Sequence, residues 1–148
     1  MKKIALLGVG NSLRGDDGVG VFVAKSFEND LKVFLGGDAP ENTFNEIRSF
    51  APDILIVIDA ISVFGGSLKE PEFLDLSDEI SYFYSTHNIP ANVYIRYLRD
   101  FIPQVLFLGI EISIENILDF AQNLSPEARQ NAKIAIEKIK KFINDCSL

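Results

Sequence analysis

The sequence predicts an α/β fold of three layers, a mostly parallel sheet of about five strands covered by helices on both faces. Three observations predict it. Strand-like and helix-like segments alternate along the chain, which implies crossover connections and a parallel sheet. Ile54-Leu55-Ile56-Val57-Ile58 is an unbroken apolar run rich in β-branched residues, the pattern of a central strand buried on both faces. A glycine-rich loop, Gly8-Val9-Gly10-Asn11-Ser12-Leu13-Arg14-Gly15-Asp16-Asp17-Gly18-Val19-Gly20, joins the apolar run Ile4–Leu7 to a segment of helical periodicity.

In chain order, Lys3–Gly8 reads as a buried strand. Val19, Phe22, Val23, Phe27 and Leu31 recur at helical spacing, predicting a helix from Gly18 to about Leu31. Asp16 or Asp17 is placed to cap its N-terminus. Lys32–Leu35 is a short strand closed by Gly36-Gly37, and Asp38–Asn42 is a loop with Pro40 at a helix start. Phe44, Ile47 and Phe50 mark a second helix ending before Pro52. Asp53–Asp59 is the central strand, terminated by Asp59, and a turn is expected from Val63 to Gly66. Ser67–Leu76 has a mixed pattern that fits an edge or antiparallel strand. Thr86-His87-Asn88-Ile89-Pro90 opens a third helix reaching about Phe101, Gln104–Ile112 is another buried strand, and Ser113–Gln122 a short helix. Ser125-Pro126-Glu127 starts the last helix, with Ser125 as N-cap and Ala132, Ile136, Ile139 and Ile143 on one face.

Bulk properties narrow the function. The length of 148 residues suits one domain, 1–148, and 47% hydrophobic against 24% charged residues is ordinary globular composition. The net charge of −7 and the lack of a basic stripe disfavour nucleic acid. No apolar run nears the roughly 20 residues of a membrane span. The apolar part of Met1–Leu7 is too brief for a signal peptide, so a cytoplasmic location is expected. The one cysteine, Cys146, can form no internal disulfide, and any imidazole chemistry must use the one histidine, His87.

Right-handed crossovers put the carboxyl ends of parallel strands on one rim, where ligands of open α/β sheets bind. Asp16 and Asp17 follow strand one, Asp59 ends the central strand, and His87 opens a helix after the next strand-like segment. Two carboxylates and one imidazole on one rim suit a divalent transition metal or zinc, although the spacing is no zinc motif. Each residue also has a purely structural reading. The acid pair can cap a helix, Asp59 can be a surface carboxylate, and His87 can be a helix-start residue paired with an acid. Glu111, at the end of its strand, shares the rim and is expected to be solvated or paired. Nucleotide binding does not fit: Leu13 stands where a dinucleotide fingerprint needs glycine, no P-loop lysine follows, and two acids repel phosphate. A receiver domain, with magnesium and a phosphoacceptor Asp59, fits the acids but not Ile110-Glu111-Ile112, which lacks the lysine expected there.

These residues resemble the hydrogenase maturation endopeptidases, which trim the C-terminal tail of the nickel-iron hydrogenase large subunit. The specific stretches are Leu7–Gly20, Ile56-Val57-Ile58-Asp59-Ala60-Ile61 and Thr86-His87-Asn88-Ile89-Pro90. Gly37–Asn42 and Phe107-Leu108-Gly109-Ile110 look like the formate-hydrogenlyase branch. The resemblance implies a twisted sheet between helices with one antiparallel strand, and Asp17, Asp59 and His87 as metal contacts. It implies nickel carried by the large-subunit precursor, with no organic cofactor, and Asp17 or Asp16 assisting proton transfer. Asn11 would orient the loop or donate to the scissile carbonyl. The family's loop acid falls at Leu35 in this chain; Asp38, beyond Gly36-Gly37, is the candidate substrate-binding residue, and whether it substitutes for that acid is left open by the sequence. A monomer is expected. The alternative is a non-catalytic metal-sensing module that docks the hydrogenase subunit.

Overall fold

The computed structural model describes residues 1–64, 67–74, 90–117 and 123–147. One five-stranded sheet has the order β2-β1-β3-β5-β4, with β1 at Ile4–Val9, β2 at Lys32–Gly37, β3 at Ile54–Val63, β4 at Glu72–Leu74 and β5 at Gln104–Ser113. β1, β2, β3 and β5 are parallel, and β4 pairs antiparallel with β5. The antiparallel edge strand thus falls inside Ser67–Leu76, as its mixed pattern suggests.

Alternation along β3 divides the core into two layers. Ile54, Ile56 and Ile58 face α1 (Val19–Lys25) and α4 (Pro126–Cys146), packing with Val23, Ala24, Ala132 and Ile139. Leu55 and Val57 face the other way and share a cluster with Ile47 of α2 (Phe44–Phe50) and Tyr94, Ile95 and Leu98 of α3 (Ala91–Arg99). Every residue from Leu55 to Ile58 is 0% exposed. Each such side chain contributes about 1.5–3 kcal/mol of burial free energy, and the run Ile54–Ile58 accordingly holds no polar residue. Among the described residues no helix is long and apolar enough to cross a membrane.

Four boundaries depart from expectation. α1 ends at Lys25, not near Leu31. Ser26 Oγ donates to the Val23 carbonyl at 2.6 Å, and the N–H groups of Ser26, Phe27 and Glu28 close tighter three-residue turns. Phe27 stays buried despite this, but Phe22, expected on the apolar face, is exposed. β2 includes Gly36-Gly37 instead of stopping before them, with a register irregularity opposite Val9. β3 does not stop at Asp59: its ladder with β1 ends at Ile58, but its ladder with β5 continues from Asp59 opposite Gly109 to Val63 opposite Ser113. Ser113–Gln122 holds a short 3-10 turn at Ile114–Ile117; 118–122 lie outside the described residues, as do 65–66 of the expected turn. The start of α4 matches: the Ser125 side chain accepts the Ala128 N–H, with proline in the first turn.

Candidate active site

The rim is built around Gly10. Its φ of +133° lies in the left-handed region, and a Cβ there would collide with the Asp17 carbonyl oxygen. The same Cβ position is 3.9 Å from Oδ1 of Asp59. Gly10 therefore lies between the backbone of Asp17 and the carboxylate of Asp59, and only a residue without a side chain fits against the Asp17 carbonyl. Its N–H donates to the Gly37 carbonyl at 2.8 Å, tying the loop to the end of β2 next to the exposed Asp38. Behind it, α1 starts hard against the strands. A Cβ on Gly20 would sit 2.6 Å from the Val9 carbonyl oxygen and would overlap that of Ile58.

Asn11 folds the loop back on itself. Its Oδ1 accepts the Leu13 N–H at 2.9 Å and its carbonyl accepts the Arg14 N–H at 3.0 Å. Its own N–H donates to Asp17 Oδ2 at 3.0 Å. Asn11 thus braces the loop, and through its backbone it orients the Asp17 carboxylate.

The two adjacent acids have separate surroundings. Asp16 and Asp17 lie in the 3-10 turn Gly15–Gly18, at 1% and 4% exposure, yet no side chain caps that turn or α1. The capping expectation is corrected here. Asp16 instead reaches across the molecule to the start of α4. Its Oδ1 accepts the Ser125 N–H at 2.7 Å, and its Oδ2 accepts Ser125 Oγ at 2.6 Å and Asn116 Nδ2 at 3.0 Å. Asp17 points to the loop side, with Asn11. Asp59, 5% exposed, accepts the Ala60 N–H on Oδ1 at 2.8 Å. Burying a carboxylate is costly unless donors meet it, and each of the three has at least one.

Asp17, through its backbone carbonyl, and Asp59, through Oδ1, both flank Gly10, whereas the carboxylate of Asp16 is held by the start of the last helix. His87 lies outside the described residues. Among the described residues no three His, Cys, Asp or Glu side chains gather as a metal-binding group. Glu111 is a paired acid, as expected: Oε1 accepts the Lys69 N–H at 2.9 Å, and its carbonyl accepts Asn131 Nδ2 at 3.2 Å. Leu35, in place of the loop acid, is exposed.

Sequence reasoning missed Tyr94. It is 1% exposed on α3, and its hydroxyl has no hydrogen-bond partner among the described residues. Burial pushes the phenol well above the ordinary tyrosine value, and the negative charges of Asp59 and then Glu41 push it further. The available signal was a tyrosine within an apolar helix face, because a buried phenol ordinarily finds an acceptor.

Comparison with known proteins agrees with this architecture. A family model described as HycI, hydrogenase maturation protease, matches residues 23–142, a span that includes Asp59 and position 87 and begins after Asp17. The hydrogenase 3 maturation protease of Escherichia coli (strain K12) is 39% identical over 114 residues, covering 74% of this chain and 72% of that protein. The crystal structure of an uncharacterized protein from Wolinella succinogenes is similar at TM-score 0.79 and 40% identity, covering 99% of both chains. The solution structure of the endopeptidase HycI from Escherichia coli has TM-score 0.79 at 31% identity, covering 95% of this chain and 90% of that one.

Proposed function

Because this chain belongs to the hydrogenase maturation protease family and is a peptidase, we propose that it removes the C-terminal extension of a nickel-iron hydrogenase large-subunit precursor after nickel insertion. The precursor carries the nickel, and Asp17, Asp59 and His87 read its presence by coordinating it. Carboxylate and imidazole donors suit that ion, and a set without cysteine leaves positions for donors from the precursor.

The observation that carries this reading is that buried Asp17 and Asp59 both flank Gly10, Asp17 through its backbone carbonyl and Asp59 through Oδ1. A nickel ion brought by the docked precursor and held by Asp17, Asp59 and His87 would supply Lewis-acid chemistry at the scissile bond. Asp17, held in place by the Asn11 N–H, is the carboxylate suited to assist proton transfer. Asp16 is less suited, because both of its oxygens already accept bonds at the start of α4. The exposed Asp38, next to the Gly37 that holds Gly10, contacts the precursor tail. The enzyme acts in the cytoplasm as a monomer, with no organic cofactor of its own.

The test is mass spectrometry of purified precursor, nickel-loaded and nickel-free, before and after incubation with the protein. A shortened subunit in the nickel-loaded sample alone is the expected result. Equal trimming of both contradicts nickel reading, and trimming of neither contradicts cleavage.

A further inference from the structure

β3 outlasts one of its neighbours. Its ladder with β1 ends at Ile58, while its ladder with β5 runs on to Val63 opposite Ser113 without a break in register. β1 stops where Gly10 turns the chain, at φ +133°. From Asp59 to Val63, a length of about 13 Å, the side of β3 that β1 would cover has no strand beside it among the described residues.

Three hydrogen bonds fix which main-chain groups face that side. The N–H and C=O of one strand residue point the same way, and successive residues alternate. The Asp53 carbonyl accepts the Gln104 N–H at 3.2 Å, on the β5 side. The Ile54 N–H donates to the Lys3 carbonyl at 3.1 Å, on the β1 side. In unbroken register, odd-numbered residues of β3 therefore address β5 and even-numbered ones the β1 side. The Ala60 N–H agrees, being turned back onto Asp59 Oδ1 at 2.8 Å. The Ala60 carbonyl and the N–H and carbonyl of Ser62 thus face the gap, and among the described residues none of the three has a partner.

Ser62 is only 8% exposed, and buried main-chain polar groups are ordinarily paired. An extended peptide offers donors and acceptors at the same spacing, which is how a sheet edge takes up an added strand. The edge is reachable: Ala60 and Val63 are half-buried, and Phe64 just beyond is 81% exposed. It also begins at the candidate site, because the carboxylate that holds the Ala60 N–H is Asp59, whose Oδ1 flanks Gly10.

We propose that an extended segment of the precursor tail adds to this edge as a strand. Its main chain accepts from the Ser62 N–H and donates to the Ala60 and Ser62 carbonyls, which lays the tail along β3 past Asp59. The proposal rests on the cleavage reading above. Ala60 and Ser62 become substrate-binding residues through their backbones and take no part in proton transfer.

The experiment has two arms. In the first, wild type and Ser62→Pro cleave purified nickel-loaded precursor, with melting temperature and sedimentation measured on both. Proline removes the N–H that faces the gap and none that bonds to β5. The expected result is a KM raised about tenfold, kcat within about twofold of wild type, and a melting temperature lowered by only a few degrees. In the second arm, amide exchange of the wild type is followed by NMR with and without a synthetic peptide of the precursor tail, which keeps the test open should Ser62→Pro fold poorly. The Ser62 amide should exchange faster than those of Ile61 and Val63 in the free protein and slow at least tenfold with peptide. Methylating the peptide's amide nitrogens one at a time should abolish that slowing at alternate positions only, since every second N–H of an added strand faces outward. A folded Ser62→Pro with wild-type KM overturns the proposal, as does a Ser62 amide already protected like its neighbours or unmoved by millimolar peptide. So does a wild-type dimer that Ser62→Pro dissociates, since a second copy would then occupy the edge. A wild type that shortens no precursor overturns the cleavage reading, and the peptide's effect on Ser62 still reports separately whether the edge takes a strand.

Discussion

At the scale of single residues, Gly10 is the most constrained position on the rim. Its positive φ and the nearness of the Asp17 carbonyl leave no room for a methyl group. Gly10→Ala is expected to lower stability by about 2 kcal/mol or more and to depress cleavage, because relieving the clash displaces the Asp17 backbone. Urea denaturation and a cleavage assay on the same sample check this; an unchanged midpoint contradicts it. Asp17→Asn and Asp59→Asn keep the shape of each side chain and remove its charge. Each should reduce kcat/KM on the order of a hundredfold, the scale at which metal sites respond to loss of an orienting or ligating group, and neither should unfold the protein. Wild-type cleavage by either variant removes that acid from the site. Tyr94 gives a prediction at high pH. Its folded-state value is raised, so the folded protein holds that proton at pH values where the unfolded chain has begun to lose it. The stability contributed is present in full below the ordinary tyrosine value near 10 and falls as pH rises above it. The stability gap between wild type and Tyr94→Phe should therefore shift against the wild type above about pH 10. Parallel alkaline melting curves for the two proteins would contradict the raised value.

At the scale of elements, the acid pair joins two parts of the fold. Asp17 belongs to the loop after β1, while Asp16 holds Ser125, whose side chain in turn accepts the Ala128 N–H at 3.2 Å. Ser125→Ala should cost about 1–2 kcal/mol through the lost cap. Asp16→Ala should cost more, about 2–4 kcal/mol, because it removes a buried carboxylate that accepts from three partly buried donors at once. Chemical denaturation ranks the two, and a smaller loss for Asp16→Ala would contradict the link. The Ser125-Pro126 cap was legible because N-cap preference and the proline position are local. The partner Asp16, 109 residues away, was not, because nothing in an Asp-Asp pair before a helix distinguishes capping from a long-range bond. Helix periodicity likewise marked Val19, Val23 and Phe27 as facing the core, though it wrongly added Phe22. It did not mark where α1 stops, because Phe27 remains buried in the turns that follow. The end of β3 was misplaced for a related reason. A polar residue inside an apolar run reads as a boundary, but β5 continues pairing beside it. That extension leaves Asp59 at the step where the β1 ladder ends, which still puts it on the rim.

At the scale of the whole molecule, the sheet order and strand directions bring the loop after β1, the step in β3 and the end of β2 to one edge. Residue types and spacing sufficed for the three-layer fold, because two-faced burial of β3 is written in its composition. They sufficed also to place Asp17 and Asp59 beside Gly10 on one rim, because parallel topology puts the strand ends on one edge. The state of Tyr94 was not legible: its hydroxyl meets no acceptor among the described residues, which apolar spacing on a helix does not reveal. The account's central claim is that Asp17, Asp59 and His87 close on one cation. Nickel-edge anomalous diffraction from crystals soaked in nickel(II) tests it most directly. The predicted result is a single ion within coordinating distance of a carboxylate oxygen of Asp17, one of Asp59, and a ring nitrogen of His87. An ion bound elsewhere, or held by only one of the three, would contradict it.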